Sequence, residues 1–152
     1  MSTRPSKTVN DSYTIQVQLL NQGHLNGYQR LFGGQLLMWM DEVAGITARR
    51  HSGCNVTTAC IEKLDFRAAA YANDTVVLTG HIVQVGRTSM TVMVHAYVEA
   101  LTGERRMINE AHFVMVALDE NEKPVEVPDI IIDTPKKRAQ LENAEQLRKA
   151  LR

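Results

Sequence analysis

The sequence predicts an α+β domain in which one strongly curved, five-stranded antiparallel sheet encloses a single long helix, with a second helix at the C-terminus. Three observations lead there. One proline-free stretch carries apolar residues at helical spacing, five stretches have strand composition and short turns between them, and strands do not alternate with helices as a parallel doubly wound sheet requires. At 152 residues the chain has room for one domain, burying about 70% of the surface its unfolded form exposes.

The elements follow in order. Residues 1–12 are polar and read as a frayed, flexible N-terminus. Tyr13 to Leu19 alternates apolar and polar side chains as a half-buried strand does, and Asn21 to Arg30 reads as a loop delivering the chain to Leu31-Phe32-Gly33-Gly34. From Gly34 to about Arg50, Leu36, Leu37, Met40, Val43, Ala44 and Thr47 recur at spacings of three and four. Trp39, Met38, Ile46 and Ala48 occupy its other sides, so this helix is expected to be buried nearly all round. Val56–Phe66, Thr75–Val85, Thr88–Ala100 and Met107–Leu118 are rich in Val, Ile, Thr, Tyr and Phe. At ~3.3 Å per residue each strand spans roughly 35 Å, enough to cover the helix. Residues 13–133 thus form the domain. Thr134-Pro135 offers an N-cap and a first-turn proline for a basic helix over 134–152, with a thin apolar stripe through Leu141, Ala144, Leu147 and Leu151.

Charge and cysteine content exclude several classes. Seventeen Lys and Arg balance seventeen Asp and Glu, so no overall field draws nucleic acid or an anionic membrane. No apolar run approaches the ~18 residues of a membrane span, and no targeting signal is visible, which makes a cytoplasmic address the expectation. Cys54 and Cys60 read as reduced thiols, and the five histidines lack the spacing of paired ligands on a helix face, so no metal site is expected.

Three constellations could carry chemistry. Asp41 lies in the long helix with Gly34, Leu37, Met38, Ala44, Gly45 and Ala48 one and two turns away, so the carboxylate is expected against packed surface, where desolvation makes it a stronger base. The alternative is a carboxylate that hydrogen-bonds a loop backbone. Gly33 and Gly34 open the helix, and free N–H groups there could polarise a carbonyl, or the glycines could serve only close packing. Seven residues separate Gly34 from Asp41, about 10 Å along the axis, beyond hydrogen-bond reach of one carbonyl. If both act together, a second copy must supply one of them. Arg87, Thr88 and Ser89 sit at a turn between strands, where they could hold phosphate or stabilise a hairpin.

The run Leu31-Phe32-Gly33-Gly34-Gln35-Leu36-Leu37-Met38-Trp39-Met40-Asp41-Glu42-Val43-Ala44-Gly45, with Ala48-Arg49-Arg50-His51, resembles the hotdog-fold acyl-CoA thioesterases of the YciA and brain acyl-CoA hydrolase type. The likeness continues through Thr57-Thr58-Ala59, Leu64-Asp65-Phe66, Asn73-Asp74, Val85-Gly86-Arg87-Thr88-Ser89, Thr102-Gly103-Glu104-Arg105 and Phe113 to Asp119, and covers roughly residues 13–130. It implies hydrolysis of acyl-CoA to a free acid and coenzyme A, with no cofactor beyond the substrate itself. It also implies edge-to-edge dimers with a ten-stranded sheet, often three to a hexamer.

By the same resemblance Asp41 matches the catalytic carboxylate as general base or nucleophile, and Gly33 and Gly34 match the glycines beside the thioester carbonyl. Arg87, Thr88 and Ser89 match positions near the coenzyme A moiety. Relatives often carry Asn or Asp three residues before the glycine pair. Arg30 stands there instead, so Asn26, farther upstream, is the candidate for the polar role and Arg30 a candidate phosphate ligand. Two other readings use the same fold: an acyl-CoA binding module without hydrolysis, and a dehydratase in which His24 or His51 pairs with an acid.

Overall fold

The computed structural model describes residues 4–132. In chain order the elements are β1 (Ser6–Thr8), α1 (Val9–Ser12), β2 (Thr14–Leu19), a 3-10 turn (Gln22–His24), α2 (Gly33–Ser52), β3 (Asn55–Phe66), β4 (Thr75–Val85), β5 (Ser89–Glu99), β6 (Arg105–Leu118) and β7 (Asp129–Ile131). The five longer strands form one antiparallel sheet in the order β2-β4-β5-β6-β3. This is the sheet-around-helix arrangement the sequence predicts, with α2 joining the strands at its two edges. The helix expected over 134–152 lies outside the described residues.

Side-chain alternation decides what the helix meets. Val76, Leu78 and Ile82 of β4, Met90, Val92 and Val94 of β5, and Ala111, Phe113 and Met115 of β6 are buried in one cluster with Leu36, Trp39, Met40, Val43, Ala44 and Ala48 of α2. Helix and sheet approach closely at Gly80: a Cβ there would stand 2.7 Å from Val43 and 2.8 Å from the Thr47 hydroxyl. The helix ends at Gly53, whose positive φ of 69° and N–H bond to the Arg49 carbonyl form a left-handed cap.

Two local expectations are corrected, and one point the alternation leaves open is decided. The sheet wraps only one side of α2, so Met38 and Ile46 are 50% and 38% exposed rather than enclosed. Residues 6–12 are not frayed: Thr8 caps α1 in a reciprocal capping box with Asp11, and β1 pairs in parallel with β7, a strand too short to announce itself in the sequence. The apolar set of β2 points away from the helix. Thr14 lies opposite the helix-facing Gly80, so the pleat turns Gln16 and Gln18 the same way and Ile15, Val17 and Leu19 outward.

Candidate active site

Asp41 stands at the middle of α2 on the wall of a cavity of about 350 Å³ shared with Gly45, Arg49, Val56, Thr58 and Met115. The carboxylate is half-buried within one chain, not sealed against apolar surface as its helical neighbours suggest, because it lies beside the sheet edge formed by β3. Thr58 Oγ1 donates to Asp41 Oδ1 at 2.6 Å, so the partner is a strand side chain rather than a loop backbone. The sequence reading missed Thr58 as a site residue. Its signal was a hydroxyl two residues from Val56, at a position the strand period assigns to the same face. A β-bulge follows at once, since the register with β6 shifts between Thr58 and Cys60.

A second cavity, of about 320 Å³, brings Asn26, Arg30 and Gly33 together with Leu36, Phe66 and Ile108. Asn26 organises the loop before the helix. Its Oδ1 accepts from the N–H groups of Tyr28 and Arg30 at 2.8 and 3.3 Å, and its own N–H donates to the Arg30 carbonyl at 2.7 Å. Gln29, at the tip, takes a left-handed φ of 60° that this tight turn demands. Phe32 then begins α2 without a side-chain cap, which leaves the first-turn N–H groups for water or a ligand. A Cβ at Gly34 would fall 2.5 Å from the Phe32 ring, so glycine there keeps the helix mouth open.

Neither Gly33 nor Gly34 lines the cavity that holds Asp41, and Asp41 does not line the cavity that Gly33 borders. One chain therefore keeps its carboxylate and its helix terminus apart, as the helical rise requires.

Arg87, Thr88 and Ser89 lie at neither cavity. Their turn is closed by Gly86 N–H donating to the Ser89 carbonyl at 2.9 Å, and it is tied to its surroundings where Ala117 N–H bonds the Thr88 carbonyl and Val127 N–H the Arg87 carbonyl. The next residue, Met90, pairs with Met115, which does reach the Asp41 cavity, so the turn sits at the same end of the sheet.

Both candidate histidines have structural surroundings. His24 Nδ1 accepts from Asn21 N–H at 3.1 Å, and its ring meets Trp39 edge-on with centroids 4.8 Å apart. His51 is fully buried, its Nε2 lies 2.7 Å from the Pro128 carbonyl, and its Nδ1 has no partner. Loss of hydration lowers the His51 pKa below 6.5, the Pro128 bond opposes this, and Lys7 and Arg4 add to the lowering. The unfolded chain therefore takes up this proton first. Stability present above pH 6.5 is expected to fall as pH drops from there to the lowered folded value, then level off. Urea unfolding between about pH 7 and 5 should show that loss in the wild type and less of it in His51→Gln; parallel profiles would refute the assignment.

Among the described residues no three His, Cys, Asp or Glu side chains converge as a metal site requires, and no helix is long and apolar enough to cross a membrane.

The thioesterase superfamily model matches residues 28–102, a span containing both the helix opening and Asp41. An uncharacterized acyl-CoA thioester hydrolase of Bacillus subtilis, YkhA, is 33% identical over 135 residues, covering 88% of this chain and 78% of the relative. The chain belongs to the thioesterase superfamily. Its hotdog fold is shared with a crystal structure of a hexameric acyl-CoA thioesterase, 37% identical, with a TM-score of 0.84 and coverage of 96% and 94% of the two chains. An acyl-CoA hydrolase from Bacillus cereus is 35% identical, with a TM-score of 0.82 over 97% of this chain and 93% of its own. Asp41, bonded to Thr58, and Gly33, beside the Phe66 ring, both adjoin strand β3.

Proposed function

We propose that this thioesterase-superfamily protein hydrolyses acyl-CoA thioesters, releasing a carboxylic acid and coenzyme A. The observation that carries the reading is the carboxylate of Asp41, oriented on a cavity wall by the Thr58 hydroxyl at 2.6 Å. In one route Asp41 takes a proton from water as the water oxygen bonds the thioester carbon; the C–S bond then breaks and the departing thiolate is protonated. In the other, Asp41 attacks that carbon directly, expels the thiolate and forms an anhydride that water cleaves. Single turnover in ¹⁸O-water separates them, because only the anhydride route can leave label in Asp41.

Both routes build negative charge on the carbonyl oxygen, and the uncapped first turn of α2 is the donor set suited to it. Since one chain holds the two apart, the site is read as completed between two copies joined along β3. That strand is a sheet edge, and its Ile61, Leu64 and Phe66 are 36%, 37% and 54% exposed. By analogy with the hexameric relative, three such dimers are proposed to assemble. Asn26 is read as holding the loop that delivers the helix mouth.

Thr58 acts here as a positioning residue. Thr58→Val removes one hydrogen bond to a charged group, worth ~1.5–3 kcal/mol, and is expected to lower kcat about tenfold or more with little change in KM. Thr58→Ser should restore most of the rate; a serine variant as slow as the valine one would show that the hydroxyl is not what matters.

Arg87 and Arg30, both exposed, are the cations offered to the coenzyme A phosphates, with the hydroxyls of Thr88 and Ser89 beside Arg87. Arg87→Ala is expected to raise KM for acyl-CoA about tenfold while leaving an acyl N-acetylcysteamine thioester, which has no phosphate, unaffected. Equal losses on both substrates would assign Arg87 a structural role instead. Thiol release from short, medium and long acyl-CoAs tests the activity as a whole. Tight binding of acyl-CoA without release of thiol would replace hydrolysis by a binding function.

A further inference from the structure

We infer that Arg4 is a positioning residue for the turn at Arg87, Thr88 and Ser89, so that the N-terminal arm sets how firmly the protein holds the phosphates of its substrate. The inference rests on the proposed role of that turn in binding coenzyme A. Arg4 Nη2 donates to the Gly86 carbonyl at 2.5 Å, and its Nε donates to the Val127 carbonyl. One guanidinium thus bridges the turn and the segment that follows β6.

Every carbonyl of the turn has a donor. Gly86 accepts from Arg4, Arg87 from the Val127 N–H at 2.9 Å, Thr88 from the Ala117 N–H at 3.0 Å and Ser89 from the Gly86 N–H at 2.9 Å. Four consecutive peptide planes are therefore fixed. Room is short as well, since a Cβ at Gly86 would stand 2.7 Å from the Ser89 hydroxyl. Side chains on such a turn leave it in set directions, and a ligand binds more tightly to donors that are already aimed when it arrives.

Three of these donors are backbone N–H groups, and the fourth is the Arg4 side chain. It lies 82 positions from Gly86 and is brought there by the arm, where β1 pairs in parallel with β7 and the Asp129 N–H donates to the Pro5 carbonyl at 2.8 Å. Val127, which receives the other half of the Arg4 fork, is buried and is the residue that holds the Arg87 carbonyl. Arg4 therefore steadies Arg87 from two sides, through Gly86 before it and through Val127 across from it. A rigid fork of charged donors suits this bridge of two carbonyls.

Steady-state thiol release and amide hydrogen exchange test the inference. Arg4→Ala is expected to raise KM for acyl-CoA about fivefold with kcat unchanged, to leave an acyl N-acetylcysteamine thioester unaffected, and to speed exchange at the Gly86 and Val127 amides. Because Arg4 works through the turn, Arg4→Ala combined with Arg87→Ala should stay within about twofold of Arg87→Ala alone. Lys7→Ala cuts a different tie of the same arm, the bond from Lys7 Nζ to the Arg50 carbonyl, and should leave KM at the wild-type value. Factors that multiply in the double variant, or a KM raised as much by Lys7→Ala as by Arg4→Ala, would overturn the inference. So would an unchanged KM in Arg4→Ala beside a raised one in Arg87→Ala, a result that leaves the phosphate reading of the turn standing. An Arg87→Ala protein with wild-type KM for acyl-CoA removes that reading itself, and Arg4 then has nothing to position.

Discussion

Asp41→Asn is expected to lower kcat for acyl-CoA hydrolysis by ~100-fold or more, with the fold and the binding of acyl-CoA retained. The substitution isolates charge from shape. An asparagine carboxamide has the outline of the carboxylate, and its oxygen can still accept from Thr58 Oγ1, now 2.6 Å from Asp41 Oδ1, so the local packing against β3 survives. What disappears is the basic or nucleophilic oxygen, and both proposed routes need it. Asp41→Ala should lose as much activity and in addition leave Thr58 without its acceptor. The measurement is steady-state thiol release, with the circular dichroism spectrum and the oligomer mass as checks on folding. A well-folded Asp41→Asn protein turning over within a few-fold of wild type would remove Asp41 from the chemistry altogether.

The second large effect concerns where the rest of the site comes from. Gly34→Val is expected to abolish most activity, because a Cβ at that position meets the Phe32 ring at 2.5 Å and the helix mouth must rearrange around it. Co-expressed with Asp41→Asn, it should give activity back. In a mixed dimer the Gly34→Val chain still supplies an intact Asp41, and the Asp41→Asn chain an intact Gly34, so one of the two sites is whole. With random pairing half the dimers are mixed, and about one quarter of wild-type activity should return. A site made entirely within one chain predicts no recovery, since every chain carries a lesion. Recovery is thus a direct reading of the separation between the Asp41 cavity and the Gly33 cavity.

Much of the architecture was legible because it is local. Helical spacing through Leu36, Met40, Val43 and Thr47 marks α2, and β-branched runs broken by turn residues mark β3 to β6, each within one to two residues of its observed limits. The distance between Gly34 and Asp41 was also readable, since helical rise fixes it. Contacts between residues remote in sequence were not. The Thr58 hydroxyl lies seventeen positions from Asp41, and only the closure of β3 against α2 brings them together. Pro128 and His51 are seventy-seven apart and meet only where the chain beyond β6 returns beside the end of α2.

The strand β2 shows the boundary between the two kinds of information. Its alternation of Ile15, Val17 and Leu19 with Gln16 and Gln18 determined that the strand has an apolar and a polar face. Which face turns to the helix was decided by pairing with β4, where Thr14 falls opposite Gly80. A period of two carries no sign, so a one-residue change of register would exchange the faces without altering the pattern. The sequence alone thus determined the elements, their order and a helix whose two chemical features are too far apart to share a carbonyl. Tertiary structure decided which hydroxyl orients the carboxylate, which cavity each feature enters and which edges remain open, because each of these depends on register and packing between segments distant along the chain.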